Sequence, residues 1–185
     1  MPNELLNSPS HPLEKFSFCP NCGSKWTVNN FKSKHCDQCG FTYYANPSSA
    51  TAAFIVNERN ELLAVRRKKE PAKGTLDLPG GFVDMDESGE EGMIREVMEE
   101  TGLRVTHVHY LFSIPNLYRY SGMDIHTLDM FFRCSVEHTD SVLAMDDAEE
   151  ALWIPLSTVN PEDFGLRSVR QAVERFVKKI KTFPI

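Results

Sequence analysis

The spacing of residues 81–103 constrains this chain more than any other feature. Glu96, Glu99 and Glu100 fall on one face of a helix at about 100° per residue. Ile94, Val97, Met98 and Thr101 follow the i, i+3, i+4, i+7 rule and lie roughly opposite, so the spacing predicts a helix with one core face and one carboxylate face. Its ends are marked as well. Ser88 and Glu91 have the spacing of a capping box, and Gly102 sits where a glycine lets the chain turn out of the helix. Like charges at helical spacing cost a few tenths of a kcal/mol per pair. A hard divalent cation reverses that penalty: Mg²⁺ prefers carboxylate oxygens and keeps several waters that phosphate oxygens can displace. The bland alternative is a solvated acidic helix face.

The five cysteines divide four plus one. Cys19-Pro20-Asn21-Cys22-Gly23 and Cys36-Asp37-Gln38-Cys39-Gly40 are two C-x2-C knuckles separated by 13 residues. Four thiolates on two such turns can surround Zn²⁺ as a tetrahedron, and a filled all-cysteine shell is structural rather than catalytic. Gly23 and Gly40 suit the tight knuckle backbone, where positive φ is often required. Disulfides or free core thiols are the competing readings. Cys134, in an alternating strand-like run, reads as a buried small apolar residue.

Gly81, Glu87, Arg95, Glu96, Val97, Glu99, Glu100, Gly102 and Leu103 together match the pattern G-x5-E-x7-R-E-U-x-E-E-x-G-U, with U aliphatic. Seven of the nine positions demand one residue type, and at roughly 7% usage per residue a chance match is on the order of one in 10⁸ per starting position. The chain resembles a Nudix hydrolase. The resemblance implies an α+β, αβα fold, a mixed β-sheet between helices. It also implies Mg²⁺- or Mn²⁺-dependent hydrolysis of a nucleoside diphosphate linked to another group. By position, Glu99 and Glu100 would be the main metal ligands, and Glu96 a further ligand or the base that activates water. The Gly81 carbonyl would complete the metal shell. Glu87 and Arg95 would hold loop and helix in register. Many members are homodimers.

The four cysteines ahead of that pattern make the whole chain similar to NADH pyrophosphatases. It departs from them after the box, where they carry a Ser-Gln-Pro-Trp-Pro-Phe-Pro-type motif and this chain has Phe112-Ser113-Ile114-Pro115-Asn116-Leu117-Tyr118-Arg119-Tyr120. ADP-ribose or another ADP-linked compound thus stands beside NADH as a substrate class. An adenine base needs an aromatic slot, for which Phe82, Tyr118 and Tyr120 are candidates, read as loop residues. Arg66 follows a strand leading towards the box, where similar members set an arginine against substrate phosphate. Asp147 and Glu150, six and three residues before Trp153, match the spacing of later-loop acidic residues that add to the metal site in ribbon-bearing relatives.

The expected organisation is a lead over 1–15, a zinc ribbon over 16–42 that depends on its metal, and the Nudix domain over 43–185. Strands are expected over 51–56 and 61–67, joined by a turn at 57–60, and over 105–112, 127–136 and 151–154. A last helix is expected over 166–181, with Val169, Val173, Phe176, Val177 and Ile180 on one stripe. The net charge of −6 makes nucleic acid an unlikely main partner, since backbone phosphates call for a basic face. No run reaches the 18 or so apolar residues of a membrane span, and the start lacks a leader's basic and apolar regions, so the expectation is cytoplasmic. A nucleotide-sensing regulator and an RNA-binding or decapping protein are the alternatives to a small-molecule pyrophosphatase.

Overall fold

A computed structural model describes residues 11–145 and 148–182, the last three of them by backbone alone. Near the N-terminus, β1 (Thr27–Asn30), β2 (Ser33–His35) and β3 (Thr42–Tyr44) form a small antiparallel sheet in that order. Among the described residues, its apolar interior is Cys19, Trp26 and Cys36, with Phe41 packed against them. A core that small does not hold a fold by burial alone, which is why the sulfurs matter.

The larger part is two three-stranded sheets between helices. β4 (Ser48–Ile55) runs parallel to β8 (Met123–Val136), which pairs antiparallel with β7 (Val105–Tyr120). β5 (Glu61–Arg67) lies between β6 (Leu76–Asp77) and β9 (Ala148–Pro155), antiparallel to both. The turn at 57–60 forms as expected: Asn57 Oδ1 accepts from the amides of Arg59 at 3.0 Å and Glu61 at 2.9 Å. The two strands it joins do not make a hairpin, however. Beyond one bridge from Val56 to Leu62, they take ladder partners in different sheets.

Alternation along β4 explains the layering. Ala52 and Phe54 face a core shared with α2 (Arg167–Thr182), whose Val169, Val173 and Phe176 are buried there, and Phe54 stacks on Phe176 with ring centroids 4.0 Å apart. Ala53 and Ile55 face a second core with α1 (Gly89–Thr101), through Met93 and Val97. Cys134 lies buried in this second core, as its strand pattern predicts.

α1 begins with the capping box of Ser88 and Glu91 and ends on Gly102 at φ 68°. Its buried sector differs from the predicted stripe. Val97 and Thr101 are buried, but Ile94 and Met98 are 43% and 42% exposed, and Met93 and Glu100 take the inner positions. The helix is rotated towards its carboxylates because Glu100 must tuck beneath the loop that precedes it. β7 is also longer than its periodicity suggests. It continues through Tyr120, so Tyr118 and Tyr120 stand on a strand rather than a loop.

Candidate active site

The segment Leu78-Pro79-Gly80-Gly81 lies along the edge of β4. Ala53 N–H donates to the Pro79 carbonyl and Thr51 N–H to the Gly81 carbonyl, both at 2.8 Å. The approach is close enough to demand glycine at Gly80: φ is +153°, and a Cβ there would stand 2.1 Å from the Thr51 carbonyl oxygen. This places the Gly80 amide to donate to Glu100 Oε2 at 3.0 Å. Gly81 lies against the Glu96 carboxyl, whose Oε1 would be 2.5 Å from an added Cβ, a side-chain contact rather than a backbone one.

Arg95 gathers the remaining carboxylates. Its Nε donates to Glu87 Oε1 at 2.8 Å and Nη2 to Glu87 Oε2 at 3.0 Å, a two-pronged pair. Nη2 also reaches the Phe82 carbonyl at 3.0 Å, and Glu87 Oε2 accepts from the Asp84 amide at 2.9 Å. The Arg95 hydrogen bonds, then the Asp84 amide, hold the Glu87 carboxyl below its usual range. Arg95 Nη1 meanwhile bridges Glu96 Oε1 at 2.8 Å and Glu99 Oε2 at 2.9 Å. Arg95 Nη1 thus links Glu96 to Glu99, while Glu100 is held separately by the Gly80 amide.

Glu96, Glu99 and Glu100 form one wall of a cavity of about 390 Å³, with Gly80 and Gly81 beside them. Arg67, Lys68 and Lys69 also line it. Phe82, Tyr118 and Tyr120 line it too: Phe82 meets Tyr118 edge-on at 5.7 Å, and the two tyrosines stack at 6.4 Å.

Arg66 and Glu150 are placed elsewhere. They lie directly opposite each other in the β5–β9 ladder, with Arg66 Nε 3.0 Å from Glu150 Oε2, and Arg66 Nη1 donates to the Gly74 carbonyl at 2.9 Å. Glu150 is a strand residue in a cross-strand ion pair, not a loop residue lining the cavity. Asp147 lies outside the described residues. Alternation along β5 decides which arginine meets the cavity, since Val65, also in its lining, shares a face with the residue two positions on. Arg67 does, tied to Asp77 and the Pro71 carbonyl, with Nη2 reaching the Tyr118 hydroxyl at 3.3 Å. Burial pushes Asp77 above the ordinary carboxylate range despite its Arg67 partner. Sequence spacing also does not reveal Asn116, Thr127 and Asp129 as cavity residues, because their meeting depends on strand pairing.

In the small sheet, the Sγ atoms of Cys19, Cys22, Cys36 and Cys39 all lie within 4.8 Å of one another. The Cys19–Cys39 and Cys22–Cys36 pairs are 3.7 and 3.6 Å apart. A tetrahedron with metal–sulfur bonds of about 2.3 Å has edges of about 3.8 Å, so the four sulfurs fit one thiophilic ion. A hydrogen bond from Asn21, then the Phe41 amide, draws Cys39 down to about 6, favouring the thiolate that binds metal. Burial pushes Cys36 up to about 11.

A family model for the NUDIX domain matches residues 46–176. An ADP-ribose pyrophosphatase of Methanocaldococcus jannaschii is 34% identical over 123 residues, covering 64% of this chain and 68% of that protein. The NAD-capped RNA hydrolase NudC of Pseudomonas aeruginosa is 27% identical over 145 residues, 78% of this chain. The chain spans only 49% of that relative's length. A NUDIX hydrolase structure from Nitrosomonas europaea superposes with a TM-score of 0.71 at 21% identity, covering 90% of this chain and 93% of that one, which shows a shared fold.

Proposed function

This chain belongs to the NUDIX family, and from that premise we propose that it is a pyrophosphohydrolase cleaving the diphosphate of a nucleoside diphosphate joined to a second group, with ADP-ribose and NADH-like dinucleotides as the substrate class. The observation that carries this reading is the single wall formed by Glu96, Glu99 and Glu100 in a cavity also lined by Arg67, Lys68 and Lys69.

The residues suit Mg²⁺ or Mn²⁺ in kind: the carboxylates of Glu96, Glu99 and Glu100 line one cavity beside Gly81. Bound there, such an ion would supply charge neutralisation of the diphosphate and activation of water. The protein does the rest by position. Glu99 and Glu100 would hold the ion, with Glu100 fixed by the Gly80 amide. Glu96, packed on Gly81, accepts the proton of the attacking water. Arg67 and the neighbouring lysines draw the phosphates across the cavity, and most of the acceleration then comes from fixed charge and orientation. Arg95 and Glu87 keep the loop and helix aligned rather than touching substrate.

The four-cysteine site is assigned to zinc on its sulfur spacing and its position in a sheet with little apolar interior. A thiolate site of that kind suits a reducing compartment, and we read the protein as cytoplasmic. Among the described residues, no helix is long and apolar enough to cross a membrane.

The likeness to an ADP-ribose pyrophosphatase supports the substrate class. A product-resolved screen with ADP-ribose, NADH, NAD, FAD, diadenosine polyphosphates, CoA and 8-oxo-dGTP tests it. AMP release from ADP-ribose or NADH at the highest kcat/KM is the expected result. Faster turnover of CoA or 8-oxo-dGTP overturns the substrate class.

A further inference from the structure

Behind the carboxylate wall, the cavity floor is polar where the surrounding layer is apolar. Asn116 on β7 and Thr127 on β8 stand opposite each other in the ladder, and Asp129 is two residues along the same face of β8. Asp129 Oδ1 accepts from Thr127 Oγ1 at 2.6 Å, and Oδ2 accepts from Asn116 Nδ2 at 3.0 Å and from Ser168 Oγ on α2. All four residues are buried. A buried carboxylate is costly unless its oxygens are satisfied, and here three donors satisfy it.

The network fixes one thing at the cavity surface. A carboxylate only accepts, so the Asn116 amide must turn its nitrogen to Asp129 and keep its carbonyl oxygen on the other side. The amide is locked with its oxygen as an acceptor on the side away from Asp129. Because strand side chains alternate, Asn116, Tyr118 and Tyr120 share one face of β7, running from the buried floor to a 59% exposed ring at the mouth. Tyr118 is itself held, edge-on to Phe82 and through its hydroxyl to Arg67.

We propose that this face is the selectivity subsite for the group beyond the diphosphate, and that it takes a planar heterocycle bearing an amino group, with the ring against Tyr118 and Tyr120 and an N–H donated to Asn116 Oδ1. Asp129 is a positioning residue that acts through Asn116. The inference rests on the cavity being the substrate site. The shared chemistry is an amino-substituted aromatic ring, found both in adenine and in a ring carboxamide. A keto group or carboxylate at the same place meets the locked carbonyl oxygen and is repelled, a kind of mismatch that discriminates more strongly than a missing methylene.

Two substrate pairs separate the sources: ADP-ribose against its inosine analogue, and NAD against its deamido acid. Wild-type protein is expected to favour the amino-bearing member of at least one pair by about 10-fold or more in KM, with kcat little changed. In Asn116→Leu and Asn116→Ser that preference collapses, and in Asp129→Asn it falls. Calorimetric binding of AMP and IMP to zinc-loaded protein without added Mg²⁺ provides a readout independent of turnover. Discrimination by AMP binding without hydrolysis of any substrate would sink the hydrolase reading and leave the subsite standing. Equal KM for both members of both pairs in the wild type, or an unchanged preference in folded Asn116 variants, overturns the subsite whatever the reaction.

Discussion

The backbone amide of Gly80 donates to Glu100 Oε2 across 3.0 Å, tying the loop before α1 to a carboxylate on that helix's last turn. The bond exists because Gly80 passes against Thr51 in a conformation closed to side chains. Gly80→Ala is therefore expected to lower stability by about 2 kcal/mol or more and to cut turnover together with it. Chemical denaturation alongside kinetics measures both. A wild-type denaturation midpoint in the variant would remove the strain argument.

Glu99 is the most exposed of the three wall carboxylates, with 47% of its side chain accessible, so its loss should cost chemistry rather than fold. Glu99→Gln is expected to reduce Mg²⁺-dependent turnover on the order of 10²-fold or more, the scale of losing one preorganised electrostatic contact. Its thermal midpoint should stay close to the wild type. Retained turnover at saturating metal would mean that the ion is held elsewhere.

Glu87 supplies a pH signature. Arg95 and the Asp84 amide depress its folded-state pKa, so the unfolded chain binds its proton more readily. The stability from this pairing is then fully present above the unfolded carboxylate range and is lost as pH falls through the folded value. Denaturation of wild type and Glu87→Gln across pH 7 to pH 3 should show a gap that closes on acidification. A gap that stays constant would show that the interaction does not depend on charge.

Trp26 reports on the four-sulfur site. It is buried between the sulfurs and Phe41, and its indole N–H donates to the Phe16 carbonyl at 2.6 Å. In a Trp153→Phe background, strong chelation or Cys36→Ser should shift its emission to the red, because the small sheet has little else to hold it. The α1 and α2 cores should keep their cooperative transition. Unchanged Trp26 emission after the metal is stripped would show that the ribbon folds without it.

What was legible in the sequence was local. The Ser88–Glu91 cap, the Gly102 terminus and the paired cysteine knuckles each rest on residues a few positions apart, where chain geometry alone decides. The buried sector of α1 was less legible, since Ile94 and Met98 are apolar yet face outward and Glu100 is charged yet faces in. That rotation comes from the loop at Gly80, which periodicity does not encode. That Arg67 and not Arg66 lines the cavity depends on which face of β5 looks inward, and only the placed sheet settles that. The grouping of Asn116, Asp129 and Ser168 spans separations of 13 and 39 residues, and only the ladder and the docking of α2 bring it together.

Strand β4 shows how such a molecule is free to change. Its neighbouring residues Ala52 and Ala53 serve opposite cores, and its edge carries the Gly80–Gly81 segment. A slip of one residue would exchange the two faces and detach the acidic helix and the floor in the same event. The strand behaves as a keel, tolerating almost no revision. Novelty in what this scaffold accepts must therefore arise along β7, where Tyr118 and Tyr120 line the cavity on a different element from the carboxylates of α1.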